Sequence, residues 1–467
     1  MSVKGKIGGL VLDQAMNYIS GDPEKNLPKL LSWMDRFLGN NIAPGQLEVF
    51  HDIVENPDNV WHQFLMDFWR DVDNDIIKTI FRNLGLNATY IGFHKQQEFA
   101  EKYNCNVPWA MLIDPTSACN LNCTGCWAAE YGNKLNMSYE TLDSIVQQGK
   151  ELGTHFYLFS GGEPLVRKAD IIRLCEAHPD AQFTAFTNGT LIDEAFADEM
   201  LRVKNFIPAI SVEGFEDDTD FRRGSGTFQK VKQAMRILKE KHLPFGISCC
   251  YTSRNVDMIG SEEYFDQMIE WGAKFCWFFT YMPIGADAVP ELMVSDEQRE
   301  FMYHKVREYR STKPIFTIDF WNDGEFSDGC LAGGRKYLHI NAGGDIEPCA
   351  FIHYADSNIY EKTILETLQS PLFMAYHDNQ PFNDNPLRPC PLLDNPDALV
   401  NMVETSGAHS TEMQNPENVR DLTAKCRKPS ENWASTAEKI WQCSGKCTGC
   451  SAKSIADDSA EEKNAAG

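Results

Sequence analysis

Hydrophobic positions follow a helical spacing over the first part of the chain. Residues 1–105 show this spacing in segments 27–38, 45–54 and 60–84, which predicts a helical N-terminal domain. We expect these helices to form a bundle that packs on the next domain. A helix that touches a membrane or an apolar substrate is the alternative, because the last segment is rich in Phe, Trp, Ile and Leu.

Short apolar runs then alternate with helical patterns between residues 106 and 312. Six near-continuous apolar strands with helices between them predict a parallel sheet in an α/β fold, a partial (β/α)₆ TIM-like barrel. In such folds chemistry collects just after the C-terminal ends of the strands. The predicted strands are 109–113, 155–159, 182–186, 206–211, 245–251 and 274–280.

The alternation stops after about residue 313. Residues 314–400 are rich in Gly, Pro, Asp and Asn, and are predicted to be mostly loop. A loop-rich domain over 313–455 needs another source of order, and this segment contains several cysteines. The acidic tail at 456–467 is expected to be disordered.

The composition and net charge restrict the classes of binding partner and the cellular compartment that we expect. The 467 residues include 43 Lys plus Arg against 67 Asp plus Glu, and the net charge of −24 disfavours nucleic-acid binding. No apolar run fits a signal peptide or a transmembrane segment. We therefore expect a cytoplasmic protein, with a peripheral membrane contact left open. Its 15 cysteines should then be metal ligands or core residues rather than disulfides.

Three cysteines lie close together in the loop predicted after the first strand. Cys119, Cys123 and Cys126 have the spacing C-x₃-C-x₂-C, and three such thiolates suit an iron–sulfur cluster. Structural zinc normally has four ligands, so a zinc knuckle that borrows a remote fourth cysteine is the alternative. Three cysteines on a four-iron cube leave one iron open to a substrate or cofactor.

Polar residues follow the next three predicted strands as well. Two glycines after the second strand would let a ligand approach the backbone, and the glutamate beside them offers a carboxylate for a cation. Chance rarely places polar residues at the same end of four successive strands, so a binding site is predicted here. The candidate residues are Gly161, Gly162, Glu163, Pro164, Thr187, Asn188, Ser211 and Glu213.

These motifs together resemble the radical S-adenosylmethionine (SAM) superfamily over about residues 108–280. The resemblance implies a [4Fe-4S] cluster on the three cysteines, whose open iron binds SAM. It implies that an electron from a flavodoxin- or ferredoxin-type donor drives cleavage of SAM, and that the resulting 5′-deoxyadenosyl radical abstracts hydrogen from an unactivated C–H bond. By position, residues 161–164 match the segment that holds the methionine amino group. Thr187, Asn188, Ser211 and Glu213 match positions near the ribose and the carboxylate.

One position departs from the family pattern. The family often has an aromatic residue just before the third cysteine, whereas this chain has Gly125 there and Trp127 after the cysteine. Some family members that act on isoprenoid lipids also carry Gly at this position. The departure leaves the packing on the adenine side of SAM open.

A second set of cysteines comprises Cys330, Cys349 and Cys390. The spacing C-x₁₃-G-x₄-C, with Gly344 as its glycine, resembles the opening of the auxiliary-cluster extensions called SPASM or twitch domains. The resemblance implies an auxiliary [4Fe-4S] cluster, whose fourth ligand is a later cysteine or a substrate group. A zinc site, or a β-hairpin with two core thiols, is the alternative.

A third set repeats the C-x₃-C-x₂-C spacing, but no strand precedes it and no Gly-Gly-Glu-Pro follows it. This set is Cys443, Cys447 and Cys450. A further cluster with Cys426 as its fourth ligand, or a structural zinc, would explain it. The remaining cysteines are expected to pack without a ligand role: Cys105, Cys175, Cys249, Cys250 and Cys276.

The leading functional hypothesis is a radical SAM enzyme, of oxidoreductase or transferase type, with an auxiliary iron–sulfur cluster. Its substrate is expected to be a ribosomal peptide or an apolar lipid, and radical coupling or alkylation of lipid chains is the alternative reaction. Peptide-modifying relatives often begin with a strand-containing winged-helix domain, whereas residues 1–105 are predicted to be all-helical. A non-catalytic iron–sulfur electron carrier is the alternative of another class, and it would not need the SAM-binding segments.

Overall fold

An open, mostly parallel β-sheet forms the centre of the described structure. The computed structural model describes residues 3–38, 46–285 and 288–444. The spatial order of strands in the main sheet is β7-β6-β5-β4-β3-β2-β1-β8-β9, and only the β8–β9 pair is antiparallel. The strands are β1 (Ala110–Ile113), β2 (Phe156–Phe159), β3 (Gln182–Thr187), β4 (Phe206–Ser211), β5 (Gly246–Tyr251), β6 (Phe275–Thr280), β7 (Phe316–Asp319), β8 (Tyr337–Ile340) and β9 (Ile346–Glu347).

The six strands predicted from the apolar runs are confirmed, in chain order and in parallel pairing. The sheet is wider than predicted, however, because β7 pairs with β6 and β8 pairs with β1. Both added strands come from the stretch predicted to be mostly loop. They are short, and each forms beside a strand edge that the six-strand core leaves unpaired.

Helices connect the parallel strands, as crossover connections require. Ser138, Asp193 and Ser261 begin three of these helices, and each side chain accepts a backbone N–H of the first turn. The helices are α7 (Tyr139–Leu152), α8 (Lys168–Ala177), α9 (Glu194–Val203), α10 (Glu216–Arg223), α11 (Thr227–Glu240), α12 (Val256–Ile259), α13 (Glu262–Trp271) and α14 (Asp296–Thr312).

The N-terminal segment is helical wherever the structure describes it. The predicted helix over 60–84 is interrupted, because α4 ends at Asp71 and Asp73 caps a new helix. A π-helix (Phe81–Gly92) follows. The helices are α1 (Val3–Gly21), α2 (Pro23–Leu38), α3 (Gln46–Glu55), α4 (Val60–Asp71), α5 (Asn74–Ile80) and α6 (Phe93–Tyr103).

These helices pack on the sheet domain at the N-terminal ends of its strands. Asn83 and Asn87 donate hydrogen bonds to backbone carbonyls just before β3, at 2.9 Å to Ala181 and 3.0 Å to Asp180. Gln96 donates to the carbonyl of Gly153 before β2 at 2.9 Å. The predicted packing of the helical bundle on the sheet domain is therefore observed. The bundle lies where the parallel strands begin, opposite their C-terminal ends.

The C-terminal extension forms a second hydrophobic cluster, which includes Trp321, Leu372, Leu392 and Leu422. A small antiparallel pair, β10 (Tyr354–Ala355) and β11 (His409–Ser410), lies within this extension. Its helices are α15 (Gly324–Ser327), α16 (Ile364–Leu368), α17 (Pro371–Asn379), α18 (Pro396–Ser406) and α19 (Val419–Cys443). In the part of the chain that the structure describes, no helix is long and apolar enough to cross a membrane.

Candidate active site

The cluster loop, defined here as residues 114–128, begins where β1 ends. Cys119 in this loop is exposed, and Cys123 and Cys126 are partly exposed. Because β1 to β4 are neighbours and run parallel, the polar segments that follow them meet at one edge of the sheet. This is the edge at which the sequence predicted a binding site.

The two glycines after β2 pack directly on the cluster loop. The Gly162 N–H donates to the Thr116 carbonyl at 3.0 Å, and the Glu163 N–H donates to the Ala118 carbonyl at 2.9 Å. A Cβ atom at either glycine would collide with the loop backbone around Thr116 and Ala118. The sequence needs glycine here because the two backbones touch.

Glu163 ties the end of β2 to the end of β3. Its carboxylate accepts hydrogen bonds from the Thr187 hydroxyl (2.6 Å), the Asn188 N–H (2.7 Å) and the Leu165 N–H (2.9 Å). Burial raises the pKa of Glu163, and these hydrogen bonds partly oppose the rise. The carboxylate therefore holds its own segment in place.

Asn188 also reaches the cluster loop. Its side-chain amide donates to Asn120 at 2.9 Å, directly beside Cys119. Pro164 begins a short 3₁₀ helix, and Ser211 lies nearly buried at the end of β4. All eight residues predicted near SAM therefore belong to the ends of β2, β3 and β4 or to the segments that follow these strands.

Two arginine side chains lie beside the Glu213 carboxylate. The sequence did not predict these contacts. Glu213 is fully buried, and Arg223 donates to it at 3.0 Å through Nε. The Arg222 Nη1 atom also lies 3.0 Å from the carboxylate. The Thr124 N–H, between Cys123 and Cys126, donates to the Arg222 carbonyl at 2.8 Å. The end of α10 thus places two guanidinium groups against the cluster loop.

Gly125 adopts φ = +63°, and a Cβ atom built on it would lie 2.6 Å from the Tyr281 hydroxyl oxygen. Tyr281 is buried, and its hydroxyl accepts the Val289 N–H at 3.0 Å. The ring of Tyr281, from the segment after β6, therefore fills space beside position 125. An aromatic residue at 125 would collide with it, which gives the departure from the family pattern a steric reason.

A buried polar array lies beside the cluster loop and was not predicted as a unit. His339 on β8 lies between two carboxylates, with Nδ1 2.6 Å from Glu347 and Nε2 2.9 Å from Asp114. The Tyr131 hydroxyl donates to Glu347 at 2.8 Å, and Ser160 donates to Asp114 at 2.7 Å. All five residues are nearly or fully buried. We call Ser160, Asp114, His339, Glu347 and Tyr131 the carboxylate–histidine array.

The auxiliary cysteines gather in the hydrophobic cluster of the extension. Cys330, Cys349 and Cys390 are partly buried against it, and Cys426 is fully buried within it. Burial raises the pKa of Cys390 to about 11, as does the charge of Asp394. Burial also raises the pKa of Cys426, and the nearby Cys390 adds to the rise. The structure thus brings Cys426 to the second cysteine set.

Helix α19 separates Cys426 from Cys443. Both residues lie on α19, seventeen positions apart, and a helix rises 1.5 Å per residue, so about 25 Å separates them. One iron–sulfur cluster cannot bridge that distance. Cys447 and Cys450 lie outside the described residues.

Comparison with known proteins identifies one domain of the chain. Residues 113–292 match the Radical SAM superfamily, from the end of β1 through β6 and the segments between these strands. The chain contains a radical SAM domain. The superfamily that this domain matches implies a [4Fe-4S] cluster and SAM.

Relatives of the radical SAM domain differ in what they act on. The AdoMet-dependent heme synthase of Methanosarcina barkeri is 23% identical over 290 residues, covering 56% of this chain and 82% of the relative. The PqqA peptide cyclase of Granulibacter bethesdensis is 25% identical over 262 residues, covering 52% of this chain and 67% of the relative. The crystal structure of Streptococcus suis SuiB bound to S-adenosylmethionine shares the fold, with a TM-score of 0.55 at 17% identity. That match covers 82% of this chain and 89% of SuiB.

The cluster loop of the radical SAM domain fits the implied cluster. In residues 3–38, 46–285 and 288–444, no group of three or more His, Cys, Asp or Glu side chains is arranged to hold a single metal ion. Thiolates on an iron–sulfur cube each bind a different iron, so they need not meet at one point. Burial raises the pKa of Cys119 to about 11, and the charges of the two other loop cysteines add to the rise. The three thiols therefore lie within electrostatic reach of one another on the same loop.

Proposed function

We propose that this protein reductively cleaves SAM at a [4Fe-4S] cluster held by Cys119, Cys123 and Cys126. When bound, the cluster and SAM supply a 5′-deoxyadenosyl radical that abstracts hydrogen from an unactivated C–H bond of the substrate. The observation that carries the proposal is the direct packing of Gly161 and Gly162 on the loop that bears the three cysteines.

The residues around the loop have distinct roles in this proposal. The backbone at Gly161 and Gly162 supports the cluster loop beside the methionine end of SAM, and Glu163 fixes that backbone. Arg222 and Arg223 supply positive charge for the SAM carboxylate, beyond what Glu213 neutralises. Tyr281 packs beside Gly125 on the adenine side and excludes water there.

An auxiliary [4Fe-4S] cluster belongs to the same proposal. Its ligands are Cys330, Cys349, Cys390 and Cys426, the four cysteines of the hydrophobic cluster in the extension. We expect a flavodoxin- or ferredoxin-type protein to supply the electron, and the cytoplasm to keep these thiols reduced before metal binding.

The substrate is proposed to be a ribosomal peptide or an apolar lipid. Similarity to a peptide cyclase favours a peptide. Partly exposed rings beside the site favour an apolar chain: Phe279 stacks on Phe320 at 4.7 Å between ring centroids, and Trp127 lies 5.7 Å from Phe351. The N-terminal helices lie at the N-terminal ends of the parallel strands, whereas the cluster loop follows the C-terminal end of β1. The described N-terminal helices therefore do not line the site.

SAM cleavage tests the proposal directly. The protein is reconstituted anaerobically with iron and sulfide, its iron and zinc contents are measured, and it is incubated with SAM and dithionite. We expect 5′-deoxyadenosine from the native chain, and none after Cys119→Ala, Cys123→Ala or Cys126→Ala. Cys175→Ala, which changes a fully buried thiol on α8, is the matched control and should retain the activity. Absence of 5′-deoxyadenosine from iron-loaded native protein, or zinc in place of iron, would refute the proposal.

A further inference from the structure

Tyr376 on α17 has a buried hydroxyl group that no described residue satisfies. The residue is fully buried, and its hydroxyl oxygen has no hydrogen-bond partner within residues 3–38, 46–285 and 288–444. A buried hydroxyl without a partner costs free energy, so native proteins seldom contain one without a reason. Such a hydroxyl needs an acceptor outside the described residues.

The auxiliary cysteines surround this hydroxyl. Tyr376 belongs to the same hydrophobic cluster as Cys426, and the other three auxiliary cysteines pack against that cluster. Burial raises the pKa of Tyr376, and the charges of Cys330, Cys349 and Cys390 add to the rise. The hydroxyl therefore lies within electrostatic reach of three of the four proposed ligands of the auxiliary cluster.

Close backbone packing places Tyr376 beside these cysteines. Gly333, three residues after Cys330, has φ = +67°, and a Cβ atom built on it would lie 2.4 Å from the Cβ atom of Tyr376. The Gly333 N–H donates to the carbonyl of Pro348, next to Cys349, at 2.9 Å. Glycine at 333 thus lets Tyr376 approach the backbone that joins the segments of two auxiliary cysteines.

A second tyrosine makes a contact of the kind that Tyr376 lacks. The Tyr337 hydroxyl donates to Cys349 Sγ at 2.8 Å. Hydrogen bonds to the sulfur atoms of an iron–sulfur cluster are among the factors that set its reduction potential. Two tyrosine hydroxyls therefore accompany the four cysteines, one paired with a cysteine sulfur and one without an acceptor in the described chain.

We propose that the Tyr376 hydroxyl donates a hydrogen bond to a sulfur atom of the auxiliary cluster and thereby raises its reduction potential. The inference rests on the auxiliary cluster of the proposed function and adds a residue that tunes it without being a ligand. Reduction adds one electron, and so one negative charge, to the cluster. A hydrogen-bond donor at sulfur stabilises the more negative form, and the reduction potential is therefore higher than without the donor.

A redox titration of the auxiliary cluster tests this role. The triple variant Cys119→Ala/Cys123→Ala/Cys126→Ala removes the ligands of the other proposed cluster, and the full chain is reconstituted anaerobically with iron and sulfide. The midpoint potential is read from the electron paramagnetic resonance signal of the reduced cluster. We expect Tyr376→Phe, added to this background, to shift the midpoint to a more negative potential. Tyr157→Phe, which removes a fully buried and hydrogen-bonded hydroxyl on β2, is the matched control and should leave it unchanged.

The metal-free full chain gives a second readout that depends on no cluster. There, Tyr376→Phe removes a buried hydroxyl that has no partner, so the midpoint of urea unfolding should rise. Tyr337→Phe is the comparison, because it removes a hydroxyl that donates to Cys349 Sγ, and it should lower the urea midpoint. A hydroxyl that only supported the fold would lower the urea midpoint in both variants.

The outcomes separate this inference from the proposed function. A midpoint potential that stays unchanged or rises in iron-loaded Tyr376→Phe, or a urea midpoint that falls in metal-free Tyr376→Phe, would overturn the role of Tyr376 alone. A folded triple variant that takes up zinc, or no iron, would instead refute the auxiliary cluster of the proposed function and this inference with it.

Discussion

His339 carries a charge at a position that water does not reach. Burial opposes that charge, but Asp114 and Glu347 on either side overcome it and raise the pKa of His339 to about 10. In the unfolded chain the pKa of His is about 6.5. A group with a raised pKa in the folded state contributes stability that is complete below pH of about 6.5 and is lost as pH rises through about 10.

We therefore expect His339→Gln to lose more stability at pH of about 6.5 than at pH of about 10. The midpoint of urea unfolding is measured for the native chain and the variant across this pH range. The difference between the two midpoints should become smaller as pH rises. His304→Gln, at a side chain that is 62% exposed, is the control and should show a small gap at every pH. A gap for His339→Gln that widens with pH would contradict the charged array.

The three cysteines of the cluster loop and Glu163 could be singled out in the sequence because their signals are local. Each lies in a short motif directly after a predicted strand, and parallel strands bring such motifs to one edge. His339 had no such signal, since its partner Asp114 is more than two hundred residues away in the chain. The contact of Arg222 with Glu213 is likewise visible only once the end of α10 meets the cluster loop.

At the scale of elements, strands could be predicted where apolar runs are long. Strands β1 to β6 were found to within one residue at most ends, whereas β7 and β8 have four residues each in a Gly- and Pro-rich stretch. Such short segments become strands because a neighbouring strand edge is free. Tertiary pairing, not local propensity, decides their structure.

Arg299 on α14 connects this helix to the segment that carries Cys390. It donates to Asp394 (2.7 Å) and to Asn322 (3.0 Å), and Asp394 accepts the Cys390 N–H at 3.0 Å. Side-chain exposure is 6% for Arg299 and 0% for Asp394. Removing one partner of such a buried pair leaves an uncompensated charge and costs about 3–5 kcal/mol.

We accordingly expect Arg299→Met to lower the free energy of unfolding by about 3–5 kcal/mol, measured by urea denaturation. Lys305→Met on the same helix is the matched control, because its partner Glu308 is half exposed and such a pair contributes about 0–1 kcal/mol. If the two variants lose equal stability, Arg299 does not hold the extension to the sheet.

At the scale of the whole molecule, the length of α19 limits which cysteines of the described residues can share one metal centre. This helix holds Cys426 in the hydrophobic cluster with Cys390 and carries Cys443 about 25 Å away.

Two [4Fe-4S] clusters, one in each domain, require about eight iron atoms per chain. The double variant Cys390→Ala/Cys426→Ala removes two ligands of the proposed auxiliary cluster and should lower the iron content by about four atoms. Iron analysis after anaerobic reconstitution measures this loss, and Cys175→Ala/Cys276→Ala, at two buried core thiols, controls for general destabilisation. Equal iron in the two double variants would mean that Cys390 and Cys426 hold no metal.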